Sequence, residues 1–158
     1  MTRHPILTKL DASRAKLLAS IAGLDEAALD ARPADDGWSI RQNLTHIAAS
    51  EADHCRVIAV IAGGDLDRLP AAVDRDAHNA ARLAELGPLT LPQILDALAD
   101  QRARTEALFA RLTAEQLEIV GPHPVLGEMA ISAIFRMLAI HEQMHIREIA
   151  AIRAQLGT

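Results

Sequence analysis

The feature that most constrains the fold is a helical repeat of apolar side chains in four long segments of the chain. Leucine and isoleucine recur there every three or four residues, which places them on one face of an α-helix. Segments rich in Gly, Pro and Asp separate these stretches. The spacing predicts four long helices and a shorter fifth one, over residues 5–22, 39–62, 91–112, 128–156 and 75–85.

Each long helix has one apolar face, and these faces leave water only by packing against one another. We therefore predict an all-α fold, a four-helix bundle formed by one domain over residues 1–158. A chain of 158 residues is long enough to bury such a core without disulfides. Aromatic residues make up only 2% of the sequence, so the core is built mainly from Ala, Leu and Ile.

Cap signals mark where the helices begin and end. Ser39 is followed three residues later by Gln42, and Thr90 by Gln93, and both pairs are capping boxes. The pair Gly63-Gly64 ends the second long helix. We expect a loop over residues 121–124, where Gly and Pro are concentrated.

Charge and composition argue against several classes of function. The formal net charge is −5 and no block of Lys and Arg stands out, so nucleic-acid binding has little support. No uncharged stretch reaches the roughly 20 apolar residues of a membrane span. The only cysteine is Cys55, and the N-terminus lacks the apolar core of a signal peptide. We therefore expect a cytoplasmic protein.

The clearest candidate for chemistry is the pair His141 and His145. Their four-residue spacing places both imidazoles on one helix face, and that face is the apolar one. Buried histidines must stay neutral or find a partner, because an unpaired buried charge is costly. A metal ion is such a partner, since neutral imidazole binds zinc, nickel or iron. Two hydrogen-bonded core histidines are the alternative.

His46 supplies a third imidazole from the second long helix, two turns after Ser39. Three protein ligands with an open position are typical of catalytic metal sites. The angular position of His46 argues against a site deep in the core, because this residue lies at the flank of its helix's apolar stripe. We therefore expect the three histidines to meet at a groove or an open end of the bundle.

A competing interpretation uses two Glu-x-x-His pairs, Glu51 with His54 and Glu142 with His145. Such pairs are typical of di-iron carboxylate bundles, which also need a glutamate from each of the other two helices. The segment 5–22 contains no glutamate, so this set of ligands is incomplete.

The remaining polar candidates have simpler interpretations. His4 is near the terminus, and His78 and His123 are expected in loops as solvated side chains. Trp38 is expected to plug the start of the second long helix. Cys55 lies on an apolar face, where an inert core thiol is the natural interpretation.

Three further residues are candidates for the pocket itself. Glu142 follows His141 directly and is predicted to orient a ligand, to move a proton, or simply to be a solvated carboxylate. Ser50 and Asp53 lie one and two turns beyond His46 on the same side, so either can face a substrate pocket or simply solvent.

The chain resembles the DinB/YfiT-like superfamily of metal-dependent four-helix proteins. Two blocks carry the resemblance, Gly-Trp-Ser-Ile-Arg-Gln-Asn-Leu-Thr-His-Ile-Ala over residues 37–48 and His-Glu-Gln-Met-His-Ile over residues 141–146. The segment Asp-Ala-His-Asn at residues 76–79 supports it. The similarity extends over essentially the whole chain.

The resemblance implies a metal site and a class of reaction. The family's histidine that follows its Trp by eight residues falls on His46, and its C-terminal histidines fall on His141 and His145. These would hold one divalent ion, zinc or nickel, with water completing its shell. Relatives include S-transferases and isomerases that use a low-molecular-weight thiol and others classed only as hydrolases, and many are homodimers.

Three functions follow as hypotheses. The first is a metal-dependent enzyme that acts on a small molecule, by S-transfer with a low-molecular-weight thiol or by hydrolysis, since an ion held by neutral imidazoles lowers the pKa of a bound thiol or water. The second is a non-catalytic, stress-related binding or dimerisation bundle with a structural or vestigial metal. The third is the di-iron protein described above.

Overall fold

Four segments with a single apolar face form the long helices of the bundle, as the sequence predicts. The computed structural model describes residues 2–157. The helices are α1 (Pro5–Ser20), α2 (Ile40–Gly63), α3 (Arg75–Leu86), α4 (Leu91–Arg111), α5 (Ala114–Leu117) and α6 (Ile131–Leu156). Short 3₁₀ turns occupy Ala28–Asp30 and Leu66–Arg68. Within the described residues, no helix is both long and apolar enough to cross a membrane.

The predicted capping boxes fix where α2 and α4 begin. The Ser39 hydroxyl accepts from the Gln42 amide at 3.1 Å, and the Gln42 side chain accepts from the Ser39 amide at 3.0 Å. Thr90 and Gln93 form the same reciprocal pair. Gly64 ends α2 with a φ of 75°, a left-handed conformation that glycine adopts without strain. These caps set the rotational position of every residue along α2.

The long helices enclose two apolar clusters. The helix α1 packs against α6, and α2 packs against both α4 and α6. One cluster surrounds the fully buried Phe135 and includes Leu10 and Ile58. The other surrounds Leu44 and includes Leu17 and Ile149, among others. The core is therefore mainly aliphatic, in agreement with the composition, and the buried aromatic residues Phe109 and Phe135 both belong to the first cluster.

The predicted loop at residues 121–124 and the predicted helix start at residue 128 are both wrong. Two short antiparallel strands, β1 (Val120–His123) and β2 (Gly127–Ala130), form a hairpin in which Val120 pairs with Ala130 and His123 with Gly127. Because residues 127–130 are used in this pairing, α6 begins at Ile131 instead.

The hairpin lies directly on α2. A Cβ atom added at Gly121 would stand 2.8 Å from the side chain of Ile61, so only glycine allows this approach. The hairpin consequently brings His123 over α2 and buries it, which corrects the expectation of a solvated loop residue.

Candidate metal centre

Three histidines from two helices meet at one point. His46 lies two turns after the start of α2, and His141 and His145 lie one turn apart on α6. The Nε2 atom of His141 is 3.0 Å from that of His46 and 3.1 Å from that of His145. The rings of His46 and His145 also contact each other, with centroids 4.9 Å apart. The structure thus brings all three predicted ligands together.

The spacing of these nitrogen atoms fits a single small metal ion. With metal–nitrogen distances of about 2.0–2.1 Å, two ligands of a tetrahedral site are ~3.3 Å apart, close to the observed separations. Within residues 2–157, no other group of three or more His, Cys, Asp or Glu side chains has its ligand atoms within 4.8 Å of one another. The donor set is three imidazoles and no carboxylate.

The environment keeps the three imidazoles neutral. Burial, followed by the nearby histidines, lowers the pKa of His46 to about 3. Burial lowers the pKa of His141 to about 4, helped by His145, and burial lowers that of His145 to about 4. Near neutral pH each ring therefore keeps a free lone pair, which is the form that binds a metal.

Hydrogen bonds at Nδ1, the ring nitrogen that faces away from the other two histidines, fix the orientation of His145. Its Nδ1–H donates to the side-chain oxygen of Asn43 at 2.7 Å and to the Glu148 carboxylate at 2.9 Å. Since the proton is on Nδ1, the lone pair is on Nε2, which faces the other two histidines. Acceptors of this kind hold metal-binding imidazoles in place. Neither Asn43 nor Glu148 was predicted from the sequence as a partner of the cluster.

His46, predicted at the edge of the apolar stripe of α2, is covered by the side chain of Trp38. His46 is only 6% exposed, because Trp38 packs on it with ring centroids 4.8 Å apart. The Trp38 ring also stacks nearly parallel to that of His145, at 6.2 Å and 12°. Trp38 is thus a packing residue, as expected, and one wall of the histidine cluster.

Four charged side chains, one from each long helix, form a buried layer in the middle of the bundle. Arg14 binds the carboxylates of both Glu51 and Glu142 at 2.8 Å. Arg102 binds the same two carboxylates at 2.9 Å. Thr105 also donates to Glu51, at 2.6 Å. Two guanidinium groups balance two carboxylates, so the layer has no net charge and can be buried.

This layer corrects one expectation about Glu142. The side chain is 2% exposed, so it is not a solvated carboxylate. Its carboxylate is bound by Arg14 and Arg102 and, among residues 2–157, makes no hydrogen bond to the three histidines; its role in orienting a ligand or moving a proton stays a prediction.

The same layer contradicts the di-iron hypothesis. Glu51 and Glu142 are both ion-paired with Arg14 and Arg102. An iron ion bound at these carboxylates would be repelled by the two guanidinium groups. His54 pairs with His123, and His145 turns its Nε2 toward the other imidazoles of the cluster. The two Glu-x-x-His pairs therefore do not form one site.

A cavity of about 650 Å³ lies beside the histidine cluster, between α2, the connection after it, the hairpin and α6. His46 and His141 form part of its wall. Ser50 and Asp53, the predicted pocket residues, also line it. The Asp53 carboxylate accepts a hydrogen bond from His78 at 2.8 Å, so it is engaged within the protein.

Two histidines expected in loops also lie at this cavity. His78 is in the first turn of α3 and His123 is in β1, where it is only 5% exposed. The Nε2 atom of His123 is 2.8 Å from Nδ1 of His54. The expectation that they are solvated was wrong for His123, because the hairpin was not recognised in the sequence.

Fold and site together define a class, a four-helix protein with a three-histidine cluster at the wall of a cavity. Residues 9–149 match the family model of the DinB superfamily, so the chain belongs to this family. The resemblance stated from residues 37–48 and 141–146 is thereby confirmed.

Individual relatives span most of the chain. YuaE of Bacillus subtilis (strain 168), named as an uncharacterized protein, is 23% identical over 86% of this chain and 90% of its own length. “Putative metal-dependent hydrolase OB0413” of Oceanobacillus iheyensis is 25% identical, over 92% of this chain and 82% of its own.

Two solved structures share the fold. TT2238, described as a four-helix bundle protein, has a TM-score of 0.67 at 27% identity and covers 92% of this chain and 96% of its own. YfiT from Bacillus subtilis, described as “a probable metal-dependent hydrolase with an unusual four-helix bundle topology”, has a TM-score of 0.73 at 19% identity, over 96% of this chain and 86% of its own. The predicted four-helix bundle is confirmed.

Proposed function

We propose that the protein is a metal-dependent enzyme that hydrolyses a small molecule at a divalent ion held by His46, His141 and His145. One observation carries this proposal: three Nε2 atoms lie 3.0 and 3.1 Å apart at the wall of a cavity. A structural site is closed by four protein ligands, whereas a three-ligand site next to a cavity leaves room for water or substrate.

The donor set indicates zinc or nickel, since both bind imidazole and neither requires carboxylate ligands. When bound, such an ion lowers the pKa of water and polarises a carbonyl group. Neutral imidazoles leave the ion's double charge undiminished, which makes it a strong Lewis acid. The relatives named as metal-dependent hydrolases agree with this chemistry.

The protein's own residues prepare the site. Asn43 and Glu148 hold the imidazole of His145 in the required tautomer, and Trp38 shields His46 from bulk water. The cavity, at about 650 Å³, has the size of a pocket for a small organic molecule. Val57, Met137 and Met144 supply apolar wall, which suits a substrate with an aliphatic or aromatic part.

S-transfer with a low-molecular-weight thiol is the second candidate reaction. Cys55, the only cysteine of the sequence, is the one residue that could supply a thiol from the protein itself. Burial raises the pKa of Cys55 to about 11, and its sulfur lies 3.3 Å from the Thr105 hydroxyl. The protein therefore offers no reactive thiolate of its own, and a thiol nucleophile would have to enter as a co-substrate. The small-molecule substrate, the homodimer and the cytoplasmic location remain predictions.

The two reactions are separated by one assay. Protein produced without a histidine tag is stripped with a chelator, reloaded with zinc or nickel, and given p-nitrophenyl butyrate or an electrophilic aryl chloride with and without glutathione. Metal-dependent ester cleavage without thiol supports hydrolysis, and metal- and thiol-dependent loss of the aryl chloride supports S-transfer. A metal-loaded protein inactive in both arms across further esters, amides and thiols would favour the non-catalytic bundle.

A further inference from the structure

A second pair of histidines stands next to the candidate metal ligands. The Nδ1 atom of His54, on α2, is 2.8 Å from the Nε2 atom of His123, on β1. The His54 ring lies edge-on to that of His141, with centroids 6.4 Å apart. Both His54 and His123 line the cavity.

The position of each proton in this pair follows from the hairpin. The backbone N–H groups of Val125 and Leu126 both point at Nδ1 of His123, at 3.2 Å, so this nitrogen is an acceptor and carries no proton. The proton of a neutral His123 ring is therefore on Nε2, and it is donated to Nδ1 of His54. The proton of a neutral His54 ring must then be on its own Nε2.

The Nε2–H group of His54 is available to a ligand, because this side chain lines the cavity and its Nε2 has no hydrogen-bond partner among the described residues. Among the described residues, the only hydrogen bond of the His54 ring is the one that its Nδ1 accepts from His123. Because its Nδ1 accepts a hydrogen bond, the His54 ring is a neutral imidazole and not an imidazolium, whose two nitrogens would both be donors. A neutral imidazole in a fixed tautomer is a hydrogen-bond donor that cannot act as a base at that nitrogen.

We propose that His54 donates a hydrogen bond from Nε2 to the carbonyl oxygen of a substrate bound beside His46 and His141, and that His123 is the positioning residue that fixes this tautomer. The proposal rests on the proposed function, because it assumes a carbonyl compound in the cavity. It narrows the substrate class to esters, amides and related compounds with a carbonyl acceptor.

This donor fits the charge changes of hydrolysis. As a nucleophile adds to a carbonyl carbon, negative charge develops on the oxygen, and a preorganised N–H group stabilises it without rearranging. His54 is preorganised through a chain of hydrogen bonds that begins at the backbone of the hairpin. The hairpin thus contributes to the site although none of its residues belongs to the histidine cluster.

The first test reads the tautomers directly. Long-range ¹H–¹⁵N correlation spectra of zinc-free and zinc-loaded protein at pH 7 should show both His54 and His123 protonated at Nε2 and unprotonated at Nδ1. A His54 ring protonated at Nδ1, or one whose Nε2 binds the zinc, would overturn the proposal. The spectrum of His123→Asn should show mixed tautomers for His54, because Asn keeps an acceptor for the turn but has no donor at the position of Nε2.

The second test measures what the donor contributes. Acetohydroxamate presents a carbonyl oxygen to a metal site, and its affinity for the zinc-loaded protein is measured by calorimetry. We expect His54→Leu to weaken it about tenfold, as for loss of one hydrogen bond to a charged group. His54→Gln, which retains an N–H donor, should recover much of this loss. The control His4→Gln, at the start of α1 and outside the cavity lining, should bind as the wild type does.

Equal affinity for wild type and His54→Leu would reject the role of His54 even if zinc binds. A protein that binds neither zinc nor nickel would reject the proposed function, while the tautomer spectrum of the metal-free protein would still decide whether His123 fixes the tautomer of His54. The two failures are therefore distinguishable.

Discussion

The Nδ1–H group of His145 donates to the side-chain oxygen of Asn43 across 2.7 Å and so joins α6 to α2 directly behind the histidine cluster. Asn43 is buried, and its amide nitrogen donates to the backbone oxygen of Ser39 at 3.0 Å. The start of α2, the orientation of His145 and the direction of its lone pair are thus linked through one side chain. The geometry of the cluster is determined by this link as much as by the three ligands.

Replacing Asn43 with Ala should weaken zinc binding about 10- to 100-fold, the usual effect of losing a partner of a metal-binding imidazole. The measurement is a zinc titration in competition with a chromophoric chelator, with circular dichroism to verify the fold. Glu148→Ala, which removes the exposed acceptor and leaves Asn43 to hold the ring, should weaken zinc binding less than Asn43→Ala does. Wild-type affinity in Asn43→Ala would show that the link has no influence on the site.

Replacing Arg102 with Leu should lower the free energy of unfolding by about 3–5 kcal/mol, because it leaves two buried carboxylates with a single arginine. Urea unfolding of the metal-free protein gives the value. Arg3→Ala is the matched control, because Arg3 also bridges two carboxylates, Asp11 of α1 and Glu106 of α4, but does so at the exposed surface, where its loss should change the free energy of unfolding little. Similar losses in both variants would contradict the assignment of Arg102 to a buried layer.

Stability of the metal-free protein should fall as the pH falls below about 6.5. In the unfolded chain a histidine takes up its proton near pH 6.5. In the folded protein, burial lowers the pKa of His46 to about 3 and the pKa values of His141 and His145 to about 4. Between these values the unfolded state binds more protons, so acid favours unfolding.

The contribution of one ring to this pH dependence is measurable. Replacing His145 with Gln should reduce the slope between about pH 6 and pH 5 by ~1.2 kcal/mol per pH unit, slightly less than the value for one full proton. Urea unfolding at a series of pH values provides the slopes. An unchanged slope in the variant would mean that His145 is protonated in the folded state.

The long helices were predictable because their signals are local. Capping boxes at Ser39 and Thr90 and the Gly63-Gly64 pair fix helix ends through neighbouring residues alone. The four-residue spacing of His141 and His145 likewise determines their common face. These features needed no knowledge of the tertiary structure.

The parts that were missed depend on contacts between distant segments. The hairpin has no strong strand signal, and it is stabilised where Gly121 lies against Ile61 of α2. His123 becomes a cavity residue only through that packing. A helical pattern assigns a face to one element but does not say which element covers it.

The buried ion-pair layer did leave a signal in the sequence. Arg14 lies between Leu10 and Leu17 on the buried side of α1, at a position where the apolar repeat calls for another aliphatic residue. Glu142 lies in the same way between Leu138 and Ile149 on α6. Four charged residues in apolar stripes of four helices indicate a charge-balanced layer, and this would have removed the di-iron hypothesis before the structure was known.

The central claim is that His46, His141 and His145 together hold one metal ion, and a zinc titration of tag-free, chelator-treated protein tests it most directly. We predict about one zinc per chain for the wild type, at least 100-fold weaker binding for His46→Gln with the helical content unchanged, and unchanged binding for the control His78→Gln. Failure of the wild type to bind zinc or nickel, or equal affinity of the wild type and His46→Gln, would contradict the claim.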